Sequence, residues 1–509
     1  MKNVTYITLV ILCVLCFQSK AQNYFNNRYD ATGNFDGTNS VDTFQGKYLS
    51  IGIEGVYGSN WGLSCYLLNQ DGTVFKKKAY GFQGDNLLPN NGKYIRMGSQ
   101  FYSCGVWAYG GYKSKAFLWR FNTNLDSVKF TSYGFINQTN VVTSFVKHSD
   151  KKIYMVGYVD DTLQTNSDIL LIKTDTAGNE IWKKKIGIAG MDETGYCIKS
   201  SQDGSLIICG NKNPTNDYTN AGAYILKTDT SGAVLWQQWF PTNYGTPANS
   251  LEELPNGDIL VISGKGYGFN STTSQPYSRF QVIKLTTTGS LLFNKSYGNT
   301  EIATTFYSSM INKKNNLVAV GQKAYANSSV TGVVYEINTI GDSLFSKEYY
   351  NEQGSQNYFR DVLQADDKGY CFAGFIIPVP ANGGTGTEDI WLLKVDSNFC
   401  ESATPCGYGV GINELDMELN WRVYPNPVNE SLTLVWVEGE GIEPNTMVTI
   451  TNSLGEIVLS LPLVTELSRN IGEDRRSCAL NTNNLPSGLY YLSIKTKDKT
   501  MTRKIMIQK

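Results

Sequence analysis

Histidine is nearly missing from this chain: His148, within KHSDKK, is the only one in 509 residues. Ser-His-Asp and Cys-His catalysis both need an imidazole base in hydrogen-bond reach of the nucleophile, so a lone histidine in a polar turn effectively excludes them. His148 reads as a solvated turn residue. No CxxC pair occurs either, and a Cys/His zinc site would lack both its thiolate pairs and its imidazoles. Phosphate-cradling GxxxxGK loops and EF-hand calcium loops are absent. Nothing in the chain calls for a metal or a cofactor. An excess of one charge is also lacking, since 44 Lys and Arg stand against 45 Asp and Glu. No basic block precedes the last few residues, which argues against a nucleic-acid partner. After the first residues no apolar run approaches the roughly 20 residues a membrane-spanning helix requires. The mature chain is therefore expected to have no transmembrane segment.

What the chain does have is glycine (49), tyrosine (32) and a modest 17% of charged residues. That balance suits an all-β exported protein better than a helical cytosolic one. The start supports export: Lys2, an apolar core from Tyr6 to Phe17, and small residues in Ser19-Lys20-Ala21 read as a signal peptide over 1–21. Ten cysteines become eight once that leader is removed, and most sit in apolar strand patterns as small buried hydrophobes. Cys400 and Cys406 differ, flanking a polar ESATP loop, and are candidates for a disulfide in an oxidising compartment.

One motif keeps returning. KTDTAGNEIW at 173–182 recurs as KTDTSGAVLW at 227–236 and KLTTTGSLLF at 284–293, with looser copies elsewhere. Aligning Gly72, Leu125, Gly178, Gly232, Gly289, Gly341 and Phe399 gives spacings of 52 to 58 residues. Each copy reads as a β-hairpin in which Asp175 or Asp229 caps the turn and Gly178 or Gly232 takes the left-handed position. Trp182, Trp236 and Phe293 are expected to pack between repeats. Each period holds four short strands, and the second ones (IYMVGY, DILVISG, NLVAVG, YCFAGF) are nearly continuous apolar runs, as for strands buried on both faces. Sheets buried on both faces must stack, and only a closed ring leaves no apolar end. The expected architecture over 22–400 is a seven-bladed β-propeller with four-stranded blades. The last repeat lacks a fourth strand, while 23–33 carries aromatics in fourth-strand spacing. The N-terminal segment should therefore close the ring, with Phe25 in the place of Trp236 and Tyr29 in that of Phe240.

After a linker at 401–419, residues 420–509 form a second module with five expected strands and the pattern of a small β-sandwich. VYPNP at 423–427, LGEIV at 454–458, LPSGLYYLSI at 485–494 and the ending RKIMIQK occur in order. On these features the module resembles the C-terminal sorting domain of type IX (Por) secretion substrates of Bacteroidetes-type bacteria. The resemblance implies docking with the type IX machinery, passage through the periplasm and delivery to the medium or outer cell surface. Its motif positions here are Tyr424, Pro425, Asn426, Pro427, Gly488, Tyr490 and Lys504. Pro425 and Pro427 would hold the approach to the first strand extended, and Gly488 would let the chain turn into the next.

The body's chemistry is less legible. The Asp-x-x-Gly turns differ from the Asp-x-x-x-Gly of quinoprotein propellers and from the Asp box of sialidases. Asp192, Glu193, Glu301, Glu352 and Asp361 fall in or near blade connections, where a carboxylate pair for glycoside hydrolysis would sit. Loops joining second to third strands, and blade to blade, share one face and are rich in Asn, Thr, Ser, Tyr and Gly. The expected function is a non-enzymatic module binding a glycan, peptide or protein; the alternative is a polysaccharide hydrolase with a carboxylate pair in the funnel.

Overall fold

The computed structural model describes residues 23–29, 35–57, 60–89, 94–109, 113–160, 166–215, 217–243, 245–270, 275–298, 302–325, 329–378, 387–403, 421–424, 428–437, 446–452, 455–462, 475–495 and 500–507. The expected signal peptide, most of the linker, Cys406 and residues 425–427 lie outside them. Two compact units form, 1–410 and 411–509.

The first unit is a succession of antiparallel meanders in the expected period. The fourth shows the pattern: Met191–Ser200, Leu206–Pro214, Gly222–Thr228 and Val234–Pro241, each paired with the next. Leu206, Ile207, Ile208 and Cys209 are all buried, as are Ala223, Tyr224, Ile225 and Leu226. The second and third strands thus bury both faces, while every residue of the fourth is exposed or half-buried. Hydrogen bonds and ion pairs carry the ring round. Asn39 reaches Pro89, Asn140 reaches Ser114, Thr143 reaches Gly195, Lys199 meets Glu252, and Asn249 reaches Phe306. Asp361 then accepts from Ser308 on one side and from the Val41 amide on the other, joining the last meander to the first.

The N-terminal segment completes the last blade. Phe25–Tyr29 pairs antiparallel with Asp389–Val395, Phe25 opposite Lys394 and Tyr29 opposite Ile390. Trp236 and Phe240 hold the same relation to Lys227 and Ala223, so the aromatic spacing marked the closing strand correctly. Arg28 Nε donates to Asp389 Oδ2 at 2.6 Å, and Trp391 Nε1 to Asn26 Oδ1 at 2.7 Å. Two details depart from seven separate four-stranded sheets. The last two meanders share one eight-stranded sheet through a single parallel pairing, Val330 with Gln356. In the second meander the first strand is split into Asn86–Pro89 and Ile95–Met97, both paired with Gln100–Tyr109. Pro89 has no N–H to offer a ladder, which suits a strand end.

All seven aligned turn residues have positive φ, including the two that are not glycine: Leu125 at 63° and Phe399 at 62°. In the 175–179 turn, Gly178 N donates to Asp175 O and Asp175 N to Asn179 O, while Asp175 Oδ1 accepts from the amides of Ala177 and Asn179. Asp229 does the same for Ser231 and Ala233. The glycine has a second reason to be there. A Cβ on Gly289 would lie 2.8 Å from the Trp236 ring of the preceding blade, and one on Gly341 would lie 2.9 Å from Phe293. The two turn residues that are not glycine, Leu125 and Phe399, are buried, and Phe399 stacks on Phe345 of the preceding blade at 4.6 Å.

A fourth-strand tyrosine adds a lock; in four blades it stands eight residues after the turn residue, and in the last blade the closing strand supplies it as Tyr29. Tyr29, Tyr133, Tyr297 and Tyr349 donate to the turn carbonyls of Gly72, Gly178, Gly341 and Phe399 in the next blade at 2.6–2.8 Å, and Tyr80 donates to Leu125. Burial pushes the Tyr133 and Tyr297 hydroxyls above their usual range, which keeps them donors. His148 is corrected from a solvated residue to a buried one. Its Nε2 lies 3.1 Å from the Gly204 carbonyl of the next blade and its ring packs edge-on against Tyr154. Its polar neighbours in KHSDKK hid an inter-blade contact.

In the second unit a three-stranded sheet (Trp421–Tyr424, Ser431–Val437, Arg475–Asn481) and a four-stranded sheet (Met447–Asn452, Ile457–Pro462, Gly488–Lys495, Thr500–Ile507) share one core. Leu432, Leu434 and Leu480 from the first sheet meet Val448, Ile450, Leu492, Ile494, Ile505 and Ile507 from the second. The strands Trp421–Tyr424 and Arg475–Asn481 were not expected. Gly488 begins a strand rather than making a turn, and a Cβ there would meet nothing nearer than 3.6 Å. Tyr490 is buried and donates to the Pro486 carbonyl.

Candidate functional site

The first strands of the meanders enclose a cavity of about 420 Å³, bounded by residues of the second to sixth. What faces it is decided by an irregularity repeated from blade to blade. The first strand carries a β-bulge, seen as register shifts at 142/144, 195/197, 306/308 and 359/361. A bulge adds one unpaired residue and re-aims its side chain. The added residues are Thr143, Tyr196, Tyr307 and Arg360, and the irregular stretch at 246/250 presents Asn249. Thr143, Tyr196, Asn249 and Tyr307 all line the cavity, with Tyr158 and Lys199.

The bulge also explains a glycine in the second strand. A Cβ on Gly321 would lie 1.9 Å from the Thr305 carbonyl, and one on Gly374 would lie 1.8 Å from that of Tyr358. The bulging strand comes so close that only hydrogen fits. This was the overlooked signal in the sequence, since 143, 196, 307 and 360 each stand fourteen residues before their blade's glycine at 157, 210, 321 and 374.

The cavity wall offers aromatic faces, hydroxyls and amides. Lys199 pairs with Glu252 at 3.0 Å. Burial works against the ammonium charge there, but Glu252 and Cys197 outweigh it and lift Lys199 above its ordinary range. Burial raises the Tyr158 phenol to about 12, with Asp160 adding to it. Beside Tyr307, the Arg360 guanidinium lies 3.9 Å from that ring's centre and 5.1 Å from that of Phe375. Phe375 in turn stacks on Tyr358 at 4.5 Å. Burial raises the Glu388 carboxyl, and the nearby Arg360 opposes that rise.

The acids expected near the funnel do other work. Asp361, fully buried, holds Val41 N and Ser308 Oγ. Glu193 is fully buried against Lys212 at 3.1 Å; burial raises its carboxyl while Lys212 opposes. Asp192 accepts from Ser167 N and Asn213, and Glu352 Oε2 accepts from Ser355. Glu301 lies outside the described residues.

Of the residues singled out from the repeat, Asp175, Gly178, Trp182, Asp229, Gly232, Trp236, Gly289 and Gly341 form turns and inter-blade packing, and none lines the cavity. Tyr424 ends a strand and Lys504 pairs opposite Tyr491, both in the second unit. Cys400 is disulfide-bonded, and Cys65, Cys104, Cys197, Cys209, Cys371 and Cys478 are free and buried. Among the described residues no group of three or more His, Cys, Asp or Glu is placed to hold a metal ion, and no helix is long and apolar enough to cross a membrane.

Residues 422–508 match the secretion system C-terminal sorting domain family. This type IX sorting domain implies export to the cell surface or the medium. No curated protein matches the chain by sequence. Among solved structures it is similar to a protein of unknown function from Dyadobacter fermentans, with 10% identity and a TM-score of 0.40 over 62% of this chain and 96% of that one. It is also similar to a subtype N11 neuraminidase-like protein of an influenza virus, A/flat-faced bat/Peru (11%, TM-score 0.35, 64% and 92%), and to the Bacteroides ovatus xyloglucan PUL GH43B (10%, 0.29, 73% and 97%). Likeness at this level carries no argument about activity, and the propeller assignment rests on the strand pairing.

Proposed function

We propose that the protein is an exported β-propeller whose axial cavity binds a glycan without turning it over, and whose second unit is the type IX sorting domain that takes it out of the cell. The observation that carries this reading is the cavity of about 420 Å³ with Tyr158, Tyr196 and Tyr307 on its wall beside the hydroxyl and amide groups of Thr143 and Asn249. A sugar ring has apolar C–H faces that rest on aromatic rings and equatorial hydroxyls that need short polar partners; a mostly apolar pocket with a few placed polar groups meets both needs. The engagement of Asp361, Glu193, Asp192 and Glu352 in structural contacts supports binding over hydrolysis, which needs two acids free to face a glycosidic bond. The C-terminal match supports delivery to the medium or the outer surface, where polysaccharides are encountered.

Calorimetric titration of the purified full chain with a panel of oligosaccharides tests the reading, together with Tyr196→Ala and Tyr307→Ala. Binding that weakens in both variants, with no new reducing ends over hours, is the expected result. Steady release of reducing sugar would replace the binding role with a hydrolytic one.

A further inference from the structure

We infer that Arg360 is the anion-reading group of this site, and that the glycan it selects carries a carboxylate, as a uronic acid does. The inference rests on the glycan reading of the cavity.

Arg360 is a half-buried arginine that, among the described residues, makes neither a hydrogen bond nor an ion pair. That is unusual, because a guanidinium has five N–H donors and normally satisfies several of them when it leaves bulk water. Other cations of the ring are engaged: Lys199 with Glu252, Lys212 with Glu193, Lys394 with Asp367 and Arg28 with Asp389. Arg360 instead has its guanidinium carbon over the Tyr307 ring at 3.9 Å and over the Phe375 ring at 5.1 Å, contacts that use none of its N–H donors. Glu388 is within electrostatic reach but does not form an ion pair with it.

The position follows from the fold. Arg360 is the bulge residue of the last first strand, in the same place as the cavity residues Thr143, Tyr196 and Tyr307; it is not itself on the cavity wall and meets it through Tyr307. Tyr307 ties the two observations together, since one ring lines the cavity and carries the guanidinium. A planar fork of donors resting against two aromatic rings matches a planar carboxylate in bidentate fashion. Flanking tyrosines provide for the sugar ring that bears it. A peptide's C-terminal carboxylate has the same fork but brings no ring with apolar faces to rest on Tyr196 and Tyr307, so the cavity favours the uronate.

The test is titration of the full chain with trigalacturonate, its methyl ester, cellotriose and a short neutral peptide with a free C-terminus. The same series is run on Arg360→Gln and Arg360→Lys. Trigalacturonate should bind about ten- to a hundredfold more tightly than its ester, as expected for a charge-assisted bidentate contact. Arg360→Gln should erase that preference at an unchanged thermal midpoint, and Arg360→Lys should restore only part of it, because the charge returns without the fork. Equal binding of acid and ester, or a preference that survives Arg360→Gln, overturns the inference while leaving the glycan reading in place. Preferential binding of the peptide overturns the uronate assignment. If none of the saccharides binds, the glycan reading fails and the inference falls with it.

Discussion

Replacing Gly289 by alanine separates the two demands on the repeated turn glycine. Gly289 has φ +84°, and an added Cβ would also meet the Trp236 ring at 2.8 Å. Gly204 offers the control: its φ is +82° and nothing lies within 4 Å of its Cβ position. An alanine forced into the left-handed region costs about 1 kcal/mol, so Gly204→Ala should lose about that much. Gly289→Ala bears the same backbone cost and must also displace a tryptophan held by a 3.1 Å hydrogen bond from its Nε1 to the Thr287 carbonyl. Overpacking a close contact adds about 1–3 kcal/mol, which brings the total to about 2–4 kcal/mol. Trp236→Ala removes the obstacle, so the double variant should be less destabilised than the sum of its parts by that same 1–3 kcal/mol or so. Urea denaturation of the four variants and the parent protein reads these differences from midpoints at unchanged slope. A Gly289→Ala cost no larger than that of Gly204→Ala, or strict additivity with Trp236→Ala, would refute the idea that the glycine makes room for the preceding blade's aromatic.

Three further outcomes are expected. Burial alone would raise the Asp150 carboxyl, but the Tyr154 hydroxyl at 2.8 Å and Lys173 at 3.0 Å outweigh it and hold it down at about 2. Its folded value lies below the unfolded value of about 3.9, so its stabilisation is present above about pH 4 and is lost as pH falls through 2. Asp150→Asn should accordingly flatten the acid limb of a stability–pH curve over that window, and an unchanged limb would count against the coupling. We propose that Cys400 is bonded to Cys406; peptide mapping without reductant should recover the two as one linked species, and an alkylatable thiol at Cys406 would refute it. Because the two compact units part near residue 410, removal of 420–509 should leave a folded propeller in the periplasm. Finding the truncated chain at the surface or in the medium on cell fractionation would overturn the sorting role.

Much of the architecture was written locally. A turn that needs a left-handed residue and a carboxylate cap selects Asp, Thr, Asn and Gly within five positions, so KTDTAGNEIW and its copies declare the hairpins wherever they occur. Even where Leu125 and Phe399 replace glycine, period alone located the left-handed residue. Ring closure was legible because Phe25 and Tyr29 repeat the spacing of Trp236 and Phe240. The sorting domain was legible because its motifs lie close together and in order. The cavity was not. Which residue of a first strand faces the axis depends on a bulge, and the bulge on a neighbouring strand's glycine fourteen residues away. Arg360 looked like any charged strand residue until folding set it against Tyr307 of one blade and Phe375 of its own. His148 looked solvated until Gly204, 56 residues on, covered it. Local chemistry therefore determined most of the elements and their order. Contacts between blades about 54 residues apart decided which side chains became the site, because that separation exceeds the reach of any pattern read along the chain.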